Sequence, residues 1–248
     1  AFMLGRKIKK LKNWLQNRHN LQLFRLRLAE DRQKTALYRA VLISHELSAT
    51  GAPLMLLAAA EAILADGGSV RVLAYMDGPL REKFEKLGIP VFYHPGFRDN
   101  ARLLNEFGGD CAYAVANTAV AYPAVSLLKR PRVLWWIHEA QVIEKDYIAR
   151  FRQKKFRPDL EQTLRQAGKL AVVSDYAREI AAKYNPRVEV IHPAVADVAK
   201  EQGLQPKQPA EKIRFAMLGA VCEIKGQDVL LKAVRLLPAA YRAQAEFH

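Results

Sequence analysis

Short apolar runs alternate along the chain with longer amphipathic stretches. The runs are rich in Val, Ile and Leu, which is typical of strands buried on both faces of a parallel sheet. The predicted strands cover residues 41–43, 70–75, 89–93, 112–116, 133–137, 170–173 and 188–191. The predicted helices between them cover residues 52–66, 79–87, 98–107, 120–128, 145–157 and 175–184, the last capped by Asp175. This succession predicts an α/β fold with right-handed βαβ units and a doubly wound, Rossmann-like parallel sheet.

The pattern changes at both ends of the chain. Residues 4–37 predict one long helix, while residues 196–211 are polar and rich in Pro and Gly, as expected of a linker. One more strand, 214–218, and one helix, 226–237, follow. The predicted parts are therefore a basic amphipathic helical segment (1–37), a Rossmann-like domain (38–195), the linker (196–211) and a truncated second α/β domain (212–248). A single strand and helix cannot bury a core of their own.

The positive charge of the chain is concentrated near its start. The net charge is +14, and residues 1–40 alone contribute +9. A basic helix with an apolar stripe (Leu4, Ile8, Leu11, Leu15) and Trp14 resembles an interfacial membrane helix, so an anionic membrane surface is one expected partner of residues 4–37. The stripe fits packing on the domain equally well. Nucleic acid is the weakest alternative, because no DNA- or RNA-binding signature is present.

Cysteine usage and hydropathy indicate the compartment. Cys111 and Cys222 are far apart and lie in no metal-binding spacing, which suits a reducing environment. No apolar run reaches the roughly 18 residues of a membrane span, and no secretory signal is visible. The expected location is therefore cytoplasmic, or peripheral on the inner face of the membrane.

Polar groups follow four of the predicted strands. They are the loop 45–51, Asn117–Thr118, His138–Glu139 and Ser174–Asp175. Because the carboxyl ends of parallel strands lie on one edge of the sheet, these groups are expected to converge on one cleft.

Three loops carry residue types that suit a particular ligand or reaction: the loop with Gly51, the loop with His138, and the loop with Lys225 in the second domain. Gly51 opens a helix whose free N–H groups suit phosphate, although a simple turn explains it equally well. His138 with Glu139 suits a hydrogen-bonding pair or a general base. A metal site is disfavoured, because no second His or Cys stands at metal spacing. Lys225, next to a glycine and a helix start, can meet a phosphate or be a solvated loop lysine.

Taken together, these motifs resemble family 4 glycosyltransferases, which have the GT-B fold of two facing Rossmann-like domains. The resemblance covers roughly residues 39–237. It rests on residues 49–52, 138–139, 172–174, 190–193, and on Gly219 with residues 225–228.

The resemblance implies a nucleotide-sugar transferase that acts with retention and without metal or cofactor. The backbone at Gly51 would approach the donor diphosphate, and Lys225 would pair with its phosphates. His138 and Glu139 would be catalytic, with His138 near the transferred sugar. The residues implied to line the interdomain cleft are Ser48, Thr50, Asn117, Ser174 and Gly219. The acceptor would be a glycan or a lipid-linked glycan of a cell-envelope polysaccharide, near the basic segment 145–157.

The sequence departs from the family at two points. Ala220 stands where a basic residue is common, and the acidic E-x7-E segment has no counterpart. The chain as written is therefore expected to be inactive alone. The alternative is a non-catalytic GT-B-like scaffold or a membrane-associated binding module, and pairing of two copies into a homo-oligomer is open.

Overall fold

The computed structural model describes residues 2–144, 156–194, 202–203, 212–219, 221 and 225–248, with the backbone alone for 2–16 and 156–158. The chain forms two compact units, Ala1–Ala194 and Val195–His248. Residues 145–155 of the helix predicted over 145–157, and most of the predicted linker, lie outside the described residues.

A parallel sheet of seven strands is the centre of the first unit, with the order β3-β2-β1-β4-β5-β6-β7. The strands are β1 (Arg39–Ser44), β2 (Ser69–Ala74), β3 (Val91–Tyr93), β4 (Tyr113–Asn117), β5 (Arg132–Ile137), β6 (Lys169–Val172) and β7 (Glu189–Val190). Each corresponds to a predicted strand, so the predicted doubly wound parallel sheet is confirmed.

Helices cover both faces of this sheet. They are α1 (Phe2–Asp31), α2 (Gly51–Ala65), α3 (Arg81–Lys86), α4 (Ala101–Gly108), α5 (Tyr122–Leu127), α6 (Ala140–Ile143), α7 (Phe156–Gln166) and α8 (Asp175–Ala181). Along β1, Val41 and Ile43 belong to one core cluster and Leu42 to the other. This two-sided burial explains the unbroken apolar runs. The short α6 and most of α7 are absent from the sequence prediction, and Ser174, not Asp175, caps α8.

The second half of α1 packs on the sheet. Phe24 and Leu28 are buried in the larger core cluster. At the helix end, Asp31 pairs with the Arg71 guanidinium at 2.9 Å, and Arg71 is only 1% exposed. Arg71 also binds Asp110 at 2.7 Å. This ion cluster joins α1, β2 and the residues just after α4. The helix ends at Asp31, short of the predicted helix end at residue 37. The apolar stripe of residues 4–15 lies among side chains outside the described ones.

The second unit contains two parallel strands, β8 (Ile213–Phe215) and β9 (Ala245–Phe247), with α9 (Gln227–Leu236) and α10 (Ala239–Ala243). The rings of Phe215 and Phe247 stack 5.2 Å apart. Ile213 and Phe215 remain about half-exposed or more, beside an apolar cavity of about 370 Å³. The described part of this unit therefore leaves much apolar surface in contact with solvent. The sequence prediction missed β9 and α10.

No helix among the described residues is both long and apolar enough to cross a membrane.

Candidate functional site

The strand order places a crevice between β1 and β4. The chain proceeds outward from β1 through β2 to β3, and then returns to β4 on the other side of β1. At such a reversal, the loops after the two central strands diverge, and ligands of open α/β sheets bind there. The loop after β1, and Asn117 with Thr118 at the end of β4, lie at this position.

The loop after β1 is organised by Glu46. Ser48 donates to the Glu46 carboxylate at 2.7 Å, and the hydroxyls of Ser48 and Thr50 are 2.9 Å apart. Thr50 is the N-cap of α2 but makes no side-chain bond to the helix. The first N–H groups of α2 therefore depend on a partner outside the helix.

Gly51 is exposed at the start of α2. Its φ is not in the left-handed region, so the turn itself does not demand a glycine. Apart from its chain neighbours and the adjoining backbone of α2, no described atom lies within 4 Å of the position that a Cβ on Gly51 would take. A ligand can therefore approach this part of the backbone closely, as the sequence prediction requires.

The end of β4 is tied to both neighbouring strands. Asn117 Nδ2 donates to Ala52 O at 3.0 Å, which joins β4 to the start of α2. Thr118 has a φ of +76°, a strained conformation for a β-branched residue. It is held there by hydrogen bonds from Trp135 Nε1 to its carbonyl and from its N–H to Trp136 O, both 2.8 Å, and by a 3.2 Å contact with His45 Nδ1.

His138 follows β5 and is half-buried. Its imidazole lies 4.7 Å from the Trp136 ring. Burial lowers the pKa of His138 from 6.5 to about 4, so the ring is neutral at pH 7. Burial also lowers the pKa of His45 on the other side of the crevice, against the opposing effect of Glu46. A neutral imidazole can donate one hydrogen bond and accept another, which suits contact with an uncharged hydroxyl group.

Glu139 points into the protein. Burial raises its pKa, and hydrogen bonds from backbone N–H groups, including that of Ala119, act against this shift. The bond from Ala119 N to Glu139 Oε2 is 3.2 Å. The carboxyl group therefore fixes the loop that follows β4, a role that the sequence did not predict. The predicted catalytic role of Glu139 stays a prediction.

The other predicted residues fall into two places. Ser174 follows β6, the strand next to β5, and its hydroxyl accepts from Ala177 N as the cap of α8. Gly219 and Lys225 belong to the second unit, where the aliphatic carbons of Lys225 lie beside Gly219. Gly226 adopts a φ of +71° as the N-cap of α9.

The structure brings together Gly51, Asn117 and His138, and it adds Trp136 and Thr118. The sequence analysis did not predict Trp136 as a site residue, because the apolar run of β5 indicated that both of its tryptophans belong to the core. The period of two along a strand, which places Trp135 and Trp136 on opposite faces, is the signal that separates them. Among the described side chains, no cluster of three or more His, Cys, Asp or Glu residues could hold a metal ion.

Comparison with known proteins adds a family and a fold. The model of Glycosyl-transferase family 4 matches residues 38–196. No curated protein matches the chain.

Several solved structures share the fold. Anabaena Alr3699/HepE in complex with UDP is 14% identical, with a TM-score of 0.60 over 84% of this chain and 68% of that chain. HepE in complex with UDP-glucose is 16% identical, with a TM-score of 0.60 over 85% of this chain and 59% of that one. An alpha-glucosyltransferase in complex with UDP and a 13-mer DNA is 14% identical, with a TM-score of 0.50 over 81% and 54%. The chain thus spans about three fifths of the length of these neighbours, and at such identities the likeness shows the fold alone.

Proposed function

The chain belongs to glycosyltransferase family 4, and from this premise we propose that it transfers a sugar from a nucleotide-diphosphate donor to a hydroxyl of a glycan or lipid-linked acceptor. The observation that carries the proposal is the crevice between β1 and β4, where Asn117 binds the open start of α2. Asn117 pairs across the strands with Trp136, and the neutral ring of His138 lies beside Trp136. The UDP and UDP-glucose bound in the HepE structures support a nucleotide donor.

The donor diphosphate is proposed to bind at the start of α2. The open space beside Gly51 allows close approach, and the uncapped N–H groups with the positive end of the helix dipole favour an anion. Ser48 and Thr50 flank this position with hydroxyl groups.

His138 is proposed to contact the transferred sugar. In the reaction, the bond between the anomeric carbon and the diphosphate oxygen breaks and a bond to the acceptor oxygen forms. The acceptor proton leaves with the nucleotide phosphate, and the configuration at the anomeric carbon is retained. Glu139 is proposed to act as a positioning residue, since its carboxylate holds the loop after β4.

Lys225 is proposed to pair with the donor phosphates and to stabilise the charge that develops on the leaving nucleotide. Its ammonium group would supply positive charge of the kind for which other phosphate sites use a metal, and the reaction is proposed to need neither metal nor cofactor. Because the described part of the second unit leaves its apolar residues exposed, we expect little activity from the 248-residue chain alone.

The test is sugar transfer and donor hydrolysis by the full-length gene product with a panel of UDP-, GDP- and ADP-sugars. His138→Ala and Lys225→Ala are expected to lower turnover at least about 100-fold. The matched controls are His19→Ala and Lys232→Ala, two exposed positions expected to keep wild-type turnover. A folded full-length protein without turnover on any donor would favour the alternative, a non-catalytic scaffold.

A peripheral membrane location is proposed for α1. This helix is about 45 Å long, carries a net charge of +6 of the chain's +14, and packs through its second half by Phe24 and Leu28. Deletion of residues 1–37 would remove this packing, so substitution is the better test. Changing Lys7, Lys9, Lys10 and Lys12 to Gln is expected to abolish flotation with anionic vesicles. The same change at the exposed Lys83, Lys86, Lys183 and Lys232 should have little effect. Equal flotation of both variants would exclude membrane binding through this helix.

A further inference from the structure

Three buried polar atoms at the ends of β4 and β5 have no hydrogen-bond partner among the described residues. They are Asn117 Oδ1, Trp136 Nε1 and His138 Nε2. Folded proteins leave few buried polar groups unpaired, because such groups lose their bonds to water without replacement. A cluster of three therefore calls for a partner other than the described residues.

The three side chains lie on one face of the sheet. Asn117 and Trp136 are directly paired across β4 and β5. Side chains alternate along a strand, so His138 follows Trp136 on the same face, while Trp135 and Ile137 enter the core on the opposite face. Asn117 is fully buried and Trp136 is 8% exposed. The half-buried imidazole of His138, 4.7 Å from the indole, is the outer layer, and the other two form the inner layer.

The orientation of the Asn117 amide follows from its neighbour. Ala52 O is an acceptor, so the NH₂ group must face it, and it does so at 3.0 Å. The carbonyl oxygen of the amide is then directed away from α2 as a free acceptor.

These atoms define the chemistry of the missing partner. The indole N–H is a donor, the amide oxygen an acceptor, and the neutral imidazole can be either. A sugar hydroxyl both donates and accepts, and the apolar face of a sugar ring packs well on an aromatic plane. A phosphate only accepts and carries negative charge, so it would leave Asn117 Oδ1 unpaired.

We propose that Asn117 and Trp136, behind His138, form a subsite that binds hydroxyl groups of a sugar ring. The inference deepens the proposed function and rests on it. Both the donor sugar and an acceptor sugar offer this chemistry, and a ligand would reach the inner layer by displacing the imidazole from the indole.

The test follows the indole N–H signals of the full-length protein, labelled with ¹⁵N at tryptophan, by NMR. The probes are free glucose, galactose and mannose, and each nucleotide sugar of the transfer panel beside its own nucleoside diphosphate. The Trp136 signal is expected to shift with a sugar-containing probe and to stay in place with the nucleoside diphosphate. The Trp135 indole already donates to Thr118 O and is the internal control, with a much smaller shift expected.

The matched variant is Trp136→Phe, which keeps an aromatic ring and removes the indole N–H group. It is expected to weaken sugar binding about five- to tenfold and to leave the affinity for the nucleoside diphosphate unchanged. Since it removes an unpaired N–H group, it should cost less than about 0.5 kcal/mol in stability, and an almost unchanged melting temperature would show that lost binding does not reflect unfolding.

A response to the nucleotide sugar alone would assign the donor sugar, and a response to a free sugar would assign an acceptor. No response of Trp136 to any sugar, with wild-type binding by Trp136→Phe, would mean that water alone satisfies these atoms and would overturn the inference. Transfer activity without a Trp136 response would overturn the inference and leave the proposed function intact. A Trp136 response without transfer from any donor would support the sugar subsite and contradict the proposed transferase function.

Discussion

Replacing His138 by Gln is expected to weaken the acid sensitivity of the fold. Burial lowers the pKa of His138 to about 4, while an unfolded histidine titrates near 6.5. The folded state thus disfavours the proton, and the stability contributed by His138 is complete above pH 6.5 and is lost as the pH falls from 6.5 toward 4. Full expression of this shift corresponds to about 3 kcal/mol. Because the ring is half-buried and partly screened by solvent, we expect about 1–2 kcal/mol.

The assay is urea unfolding of the wild type and His138→Gln near pH 7.5 and near pH 5. Carboxyl groups titrate in both proteins, so the difference between the two losses isolates the histidine. The wild type should lose about 1 kcal/mol more than the variant near pH 5. His19→Gln, at an exposed position of α1, is the control and should follow the wild type. Equal losses in the wild type and His138→Gln would show that the imidazole is solvated, and would refute its assignment as the neutral ring of the site.

Four further predictions concern stability and binding. Arg71→Met should lower the free energy of unfolding by about 3 kcal/mol in urea melts, because the buried Asp31 carboxylate loses its closest cationic partner. Trp135→Phe should cost about 1–3 kcal/mol by leaving a buried carbonyl unpaired, whereas Trp136→Phe should cost less than about 0.5 kcal/mol. Gly51→Ala should change stability by less than about 1 kcal/mol but weaken donor binding about tenfold by calorimetry. Gly78→Ala, whose Cβ would stand 2.4 Å from Leu47 O, should cost about 1–3 kcal/mol in stability. A Gly78→Ala variant as stable as the wild type would contradict the close approach of Gly78 to Leu47 O. A Gly51→Ala variant that binds the sugar donor normally would contradict donor binding beside Gly51.

The sequence was sufficient to predict which strand ends carry the residues of the candidate site. The loop with Gly51 follows β1, Asn117 is the last residue of β4, and His138 follows β5, close to where the sequence indicated. A strand that ends in polar residues is visible in a local window of sequence. The partners of these residues were not predictable. Asn117 binds Ala52 and Glu139 binds Ala119, contacts between residues 65 and 20 positions apart that depend on strand order.

The sequence by itself determined the succession of strands and helices in the first unit, because each element buries an apolar run or stripe whose period is local. It also determined where charge accumulates, at residues 1–40. Only the tertiary structure decided that β1 and β4 are neighbours, so that the crevice opens beside α2. It also decided that Asp31 ends α1 against Arg71, and that one of two adjacent tryptophans is fully bonded while the other is not. These outcomes depend on contacts between groups that are far apart in the sequence. Inside the protein an unpaired polar atom is costly, so these contacts matter, but no local sequence pattern predicts them.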